Sequence, residues 1–315
     1  MSSGKKASSG ECAATANGAL NPPTTVVNSQ GQPGQLTFAS NDIFWGAIDG
    51  SSHFTIFRES LGDVQIKALA VSNVVPGGLV VDNGRVFWFG QDVESHDPYL
   101  GDILSVPMGG GIVSTLESGQ RVTAMSTVAG RLIWAGFGAS ESGMNIYESD
   151  ELGGQPVVIA AGANGPYVQN ALAGNADGVF WSTADGRLMK WDGSAEPMSV
   201  ASAGVADFIA LGDNTIVWSE ISRINAMDLG SKEMYTVVES STRTPVSYPR
   251  FVITPASLYW TTTVGNVQRG IYRVSLCGGT PDVIDSSVEV GGISQTATGA
   301  CWSAPAEGMI WCADD

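Results

Sequence analysis

Short apolar runs that end in tryptophan return at near-regular intervals along the chain. Seven of the nine tryptophans sit in this context. The runs read Ile43-Phe44-Trp45, Val86-Phe87-Trp88, Leu132-Ile133-Trp134, Val179-Phe180-Trp181, Ile216-Val217-Trp218, Leu258-Tyr259-Trp260 and Ala300-Cys301-Trp302. Successive tryptophans are 43, 46, 47, 37, 42 and 42 residues apart. Strand-length apolar runs at that period point to a propeller of four-stranded sheets. The second repeat shows the grammar of a unit. Leu79-Val80-Val81 predicts an inner strand A, and Asp82-Asn83-Gly84 supplies a tight turn from residues that tolerate positive φ. Strand B follows at 86–89, strand C at 103–106, a Gly109-Gly110-Gly111 turn, and strand D at 113–116. No long stretch carries apolar residues at helical spacing behind an N-cap.

These units predict an all-β fold, a seven-bladed β-propeller with four-stranded blades. The repeated tryptophan is expected as the wedge between blades. Trp191 and Trp311 fall on C strands and are expected in blade packing as well. The last unit supplies A near 293–295, B around Trp302 and C around Trp311, with no D strand after it. An unassigned strand, Thr24-Thr25-Val26-Val27, precedes the first strand A at Leu36-Thr37-Phe38. Its pairing with the last unit would close the ring and hide two sheet edges. The expected organisation is a flexible N-terminal tether over residues 1–23 and one propeller domain over 24–315.

At Leu258-Tyr259-Trp260-Thr261-Thr262, followed by Ile271-Tyr272-Arg273-Val274 and Gly278-Gly279, the chain resembles the tyrosine–tryptophan–threonine–aspartate (YWTD) propeller repeat. It is most similar to secreted or lipid-anchored bacterial propellers of that type, uncharacterised members included. The aspartate after Trp-Thr is missing, and most units carry Phe, Ile or Val in place of Tyr. The resemblance therefore implies architecture, and no binding residue is carried over from it.

Charge narrows the partners. Fifteen basic residues stand against 31 acidic ones, for a net charge of −16. Nucleic-acid binding needs a basic footprint, and none is present. No run of 18 apolar residues predicts a transmembrane segment. Residues 1–20 lack the apolar core of a signal peptide. The small, polar start up to Pro22-Pro23 instead resembles a lipoprotein tether, in which Met1 would replace a lipidated cysteine or follow a removed export signal. The expected location is a bacterial periplasm, the outer-membrane surface or the outside of the cell.

The four cysteines, Cys12, Cys277, Cys301 and Cys312, show no Cys-x-x-Cys spacing, so no structural zinc site is expected. If Ala304 and Met309 flank the turn between the last two strands, Cys301 and Cys312 fall opposite each other, at a separation a disulfide can span. That bridge implies an oxidising compartment. A Cys12–Cys277 bridge is a second expectation.

Function is sought on the face that carries the D–A and B–C loops, because long loops on a rigid scaffold carry recognition. There the first three units gather Asp49, His53, Asp92, Glu94, His96, Asp97, Tyr99 and Glu141. The D–A loops of the third and fifth units add Tyr167, Gln169, Tyr248 and Arg250. Aromatic, amide and guanidinium groups around a shallow funnel suit a sugar or peptide. Asp92, Glu94, Asp97 and Asp102 could together hold a hard cation such as Ca²⁺, although the spacing matches no EF-hand; no other cofactor or metal is expected. No nucleophile elbow, phosphate loop, zinc-protease helix or dinucleotide fingerprint is present, and no catalytic residue is assigned. The leading expectation is an exported, non-enzymatic propeller that binds a protein or glycan. Two alternatives are a polysaccharide lyase or hydrolase using His53 or His96 with nearby carboxylates, and a structural subunit of a cell-surface assembly.

Overall fold

The computed structural model describes residues 23–28, 31–48, 54–61, 65–72, 74–92, 100–137, 144–162, 171–175, 177–193, 196–202, 204, 206–220, 222–241, 246, 249–265 and 267–315. Strand β1 (Thr24–Asn28) precedes a first sheet of β2 (Gln32–Ala39), β3 (Asp42–Ile48), β4 (Phe54–Ser60) and β5 (Lys67–Ser72). Next come β6 (Val74–Asp82), β7 (Arg85–Asp92), β8 (Leu100–Pro107), β9 (Ser114–Val128), β10 (Arg131–Phe137), β11 (Met144–Asp150) and β12 (Val157–Ala160), joined in one seven-stranded sheet. Two four-stranded sheets follow, β13 (Leu172–Asn175), β14 (Gly178–Ser182), β15 (Arg187–Trp191) and β16 (Met198–Ser202), then β17 (Ile209–Leu211), β18 (Thr215–Glu220), β19 (Arg223–Asp228) and β20 (Met234–Glu239). Strands β21 (Phe251–Ile253), β22 (Ser257–Val264), β23 (Val267–Ser275) and β24 (Asp282–Glu289) form another. The last sheet holds β25 (Ile293–Gln295), β26 (Gly299–Ala304) and β27 (Met309–Asp314), with β1 on its outer edge. All pairings between these strands are antiparallel, in up-and-down order.

The tryptophan register is the same throughout. Trp45, Trp88, Trp134, Trp181, Trp218, Trp260 and Trp302 stand opposite Leu36, Leu79, Met125, Leu172, Ile209, Phe251 and Ile293 on the neighbouring inner strand. Because side chains alternate across a strand, each tryptophan and the residue before it face opposite ways. Phe87 packs forward with Leu132 and Trp134, whereas Trp88 packs back on Phe44 and Ile56 of the first sheet. The same division holds at the other junctions, the last of which joins Cys301, Ile310 and Val27 to Leu36 and Trp45. The expected wedge is therefore present. Each such indole removes about 150–250 Å² from water, roughly 4–6 kcal/mol at ~25 cal/mol per Å². Trp45, Trp134 and Trp260 also stack on Phe57, Tyr147 and Tyr272 at centroid distances of 5.6, 5.5 and 5.4 Å.

The inner strands touch in succession: β2 against β6, β6 against β9, then β13, β17, β21 and β25, and β25 back against β2. Glycine permits the approach of β25 to β2. A Cβ on Gly292 would lie 3.0 Å from the Gln35 Cα and 3.1 Å from the Gly34 carbonyl oxygen.

Two expectations about the sheets turn out differently from each other. Thr24 pairs with Cys312 and Thr25 with Trp311, so the N-terminal strand does join the last sheet. The second and third units, by contrast, are not separate four-stranded sheets. Strand β9 serves both, pairing through Ser114–Arg121 with β8 and through Arg121–Val128 with β10. Ser118-Gly119-Gln120 carries the chain from the outside of one unit to the inside of the next without a loop. Gly119 adopts φ +66°, and its N–H donates to Asp102 Oδ1 at 3.2 Å, so the ladder irregularity there is stitched by a side chain.

The expected Cys301–Cys312 disulfide is present, with Cα atoms 4.1 Å apart and the two residues directly paired. Ala304 pairs with Met309, which sets that register. Cys277 is also disulfide-bonded; Cys12 lies outside the described residues.

Candidate functional site

The inner strands surround a cavity of about 250 Å³. Its wall comes from Gln35, Leu36 and Thr37 of β2, Gly78 and Leu79 of β6, Phe89 of β7, Met125 of β9, Val252 of β21, and Ile293, Ser294 and Gln295 of β25. The polar lining is amide and hydroxyl, with no charged side chain. A β-carbon on Gly77 or Gly78 would strike the Phe89 ring at 2.4 or 2.8 Å, so those glycines let the ring lie across β6.

The ends of the A and B strands carry polar groups that bridge neighbouring sheets. Ser182 Oγ donates to the Ala206 carbonyl at 3.0 Å, and Ser303 Oγ donates to the Gly34 carbonyl at 2.7 Å. Arg250 extends from just before β21 to donate from Nη1 to the Gly291 carbonyl at 3.2 Å. Its backbone is held by Thr261, whose N–H donates to the Arg250 carbonyl at 2.8 Å. Burial lowers the Arg250 pKa from the ordinary arginine value. A guanidinium stays charged at neutral pH regardless, so a partly desolvated cation stands two residues from the cavity wall at Val252.

One sheet earlier, Asp207 donates its N–H to the Ser219 carbonyl at 3.2 Å. Asp207 Oδ2 is buried and has no hydrogen-bond partner among the described residues, and burial pushes the carboxyl pKa up. Ser219 Oγ is fully buried and likewise has no partner. Unsatisfied buried polar atoms are costly. Here they occur on two residues joined by a backbone hydrogen bond, at the end of the strands where Ser182, Arg250 and Ser303 form their bridges.

Of the loop-face residues singled out in the sequence, Arg250 and Asp102 are the ones whose side-chain geometry is on view. Asp92 ends β7 opposite Val74. Asp49, His53, Glu94, His96, Asp97, Tyr99, Glu141, Tyr167, Gln169 and Tyr248 lie outside the described residues. Asp102 is engaged with the Gly119 N–H. Among the described residues no group of three or more His, Cys, Asp or Glu could hold a metal ion. Sequence reasoning missed Asp207, Ser219 and the inner-strand amides Gln35 and Gln295. A charged residue between Ala206 and Phe208, just ahead of an apolar strand, was the available signal for Asp207.

The hairpins on this side differ in height. Strands β3, β7, β10 and β22 continue past their tryptophan partners to pairs such as Ile48 with Phe54, Gln91 with Gly101, Phe137 with Met144 and Val264 with Val267. Strand β14 ends at Ser182, one residue after its tryptophan. Ring-like contact of the inner strands, one tryptophan register and up-and-down sheets match solved structures over nearly the whole chain. The WD40 β-propeller domain of Doa1 aligns with a TM-score of 0.61 at 12% identity, covering 94% of this chain and 97% of that one. The chain is a β-propeller. A chain of a mitotic checkpoint complex aligns at 0.64 and 12% identity over 96% of both chains, and BamB from Moraxella catarrhalis at 0.54 and 12% over 90% and 85%. At that identity the likeness is one of fold. No protein-family model matches the chain, and no curated protein matches it in sequence. Among the described residues of this propeller, no helix is long and apolar enough to cross a membrane.

Proposed function

We propose that this propeller is an exported, non-enzymatic binding protein that presents the B–C and D–A loop face to a protein or glycan. One observation carries the reading. Among the described residues, three polar groups with spare capacity lie at the rim of the inner strands: the Arg250 guanidinium, whose Nη1 donates to one carbonyl, Asp207 Oδ2 and Ser219 Oγ. Binding sites combine apolar walls with a few convergent polar groups, and the adjoining cavity offers amides and hydroxyls that suit a sugar or a peptide backbone. The sequence-derived groups from His53 to Tyr99, with Tyr167, Gln169 and Tyr248, would extend this surface outward, and a Ca²⁺ ion among the acidic residues is part of the proposal.

The finer architecture belongs to the same reading. Counting β9 twice gives seven blades, with residues 24–315 as one domain, residues 1–23 as a tether and β1 as the strand that closes the ring. The pairing of β1 with β27 and the return of β25 to β2 support this. The Cys301–Cys312 bridge supports an oxidising location, in our reading the periplasm, the outer surface of a bacterium, or a lipid anchor at the N-terminus.

The test is a glycan array together with capture from the source envelope, using the wild type, Arg250→Gln, and a variant with residues 92–100 replaced by a short Gly-rich turn. Both variants are expected to fold and to lose binding at least tenfold, about 1.4 kcal/mol. Binding that survives both changes refutes the choice of face. Polysaccharide turnover that vanishes in His53→Ala or His96→Ala would replace this reading with the catalytic one.

A further inference from the structure

On the face opposite the proposed binding surface, two turns from neighbouring blades meet. Asp82-Asn83-Gly84 reverses the chain between β6 and β7 with φ +44° at Asn83 and +74° at Gly84. The Asn83 N–H donates to Asp82 Oδ1 at 2.8 Å, and Asn83 Nδ2 crosses to the next blade to donate to Glu151 Oε2 at 2.9 Å. Glu151 follows β11 and is only 6% exposed. Its second oxygen, Oε1, is buried and receives no hydrogen bond from any donor. The group within hydrogen-bonding reach is the Asp82 carboxyl. Two carboxyl groups therefore meet across a blade junction, bridged by Asn83, with no donor among the described residues left for Glu151 Oε1.

The neighbouring charges do not relieve this. Arg85 acts on Glu151 at a distance, but its Nη2 is committed to Ser105 Oγ at 2.6 Å. Arg131 is committed to Glu148 at 2.6 Å, with Asp150 as its other anionic neighbour. A hard cation takes six to eight oxygen ligands, more than two carboxyl groups in a closed junction can offer. A proton needs only the two facing oxygens.

We propose that Asp82 and Glu151 share one proton in mild acid, in a carboxyl–carboxylate hydrogen bond that latches the second blade to the third and opens when the proton leaves. Burial, and after it the Asp82 carboxyl, raise the Glu151 pKa. The stabilisation is thus fully present below the unfolded glutamate value of about 4.5 and is lost as pH rises through the higher folded value. The turn that would loosen is Glu151-Leu152-Gly153, held by the Gly153 N–H to the Asp150 carbonyl at 2.9 Å; Leu152 is already 82% exposed on it.

The experiment compares melting of the full chain and its Glu151→Gln variant from acid to mildly alkaline pH. The glutamine carbonyl can still accept from Asn83, and its amide donates permanently to Asp82. The variant should melt several degrees above the wild type in mild alkali and level with it in acid. Amide exchange at Gly153 should accelerate with pH in the wild type beyond the hydroxide-catalysed rate, and not in the variant. Equal melting at every pH, or a constant loss in the variant, overturns the proposal. So does a rise in wild-type melting with millimolar calcium that EDTA reverses and Glu151→Gln lacks, because a metal would then fill the gap.

Discussion

Two tryptophans show how much a single indole nitrogen matters. Trp88 Nε1 donates to Ser72 Oγ at 3.4 Å, whereas Trp134 Nε1 is buried without a partner. Replacing either by phenylalanine removes similar volume, but only Trp88→Phe also removes a hydrogen bond. Trp134→Phe instead relieves a buried orphan donor. Urea denaturation should find Trp88→Phe the costlier change by about 1 kcal/mol; equal losses would refute the argument. Asp207 gives a second residue-scale prediction. Burial raises its pKa above the ordinary aspartate value of 3.8, so its contribution to stability is fully present below that value and is lost as pH rises through the folded one. Asp207→Asn should therefore raise the melting temperature at neutral pH and leave it unchanged in strong acid. A lower melting temperature at neutral pH would mean that the carboxylate has a stabilising partner.

At the level of elements, the last sheet combines covalent and non-covalent closure. The disulfide joins residues 11 apart across the β26–β27 hairpin. A loop of that length predicts about 3 kcal/mol from chain entropy. Reduction, or paired serine substitution, should lower stability by up to that amount without loss of the fold, as followed by near-ultraviolet dichroism and urea titration. Strand β1 covers the outer edge of β27, and Val27 is 1% exposed. Deleting residues 1–28 should lower the melting temperature by more than reduction does and bring on self-association through the bared edge. A monomer that melts like the full chain would refute the role of β1.

For the whole molecule, the fold was legible where it repeats. Seven X-Trp dipeptides announce two opposed packing directions, and Cys301 opposite Cys312 followed from a turn between Ala304 and Met309. The fusion of two blades through β9 was not legible. Ser118-Gly119-Gln120 has the composition of a loop, yet the ladder runs on to Gln120 and Arg121 with the Gly119 N–H held by the Asp102 carboxylate. The cavity was hidden for another reason. Gln35 and Thr37 flank Leu36 as on any half-buried strand, Ser294 and Gln295 read as the polar end of a short strand, and it is the return of β25 to β2 that brings them together. Arg250 was recognisable from its place with Tyr248 in a D–A loop, whereas Asp207 and Ser219 gain meaning only from their missing partners.

Strand β9 also has a consequence for where the chain can be cut. Blades joined by loops can exchange their covalent order, because new ends between them sever no ladder. New ends at Ser118-Gly119 would instead split the one strand that two blades own in common, and each would lose an edge partner. A circular permutant opened there should refold poorly or form domain-swapped dimers that reunite β9 in trans, while one opened between β20 and β21 should remain a monomer. The second and third blades are therefore a single unit of rearrangement.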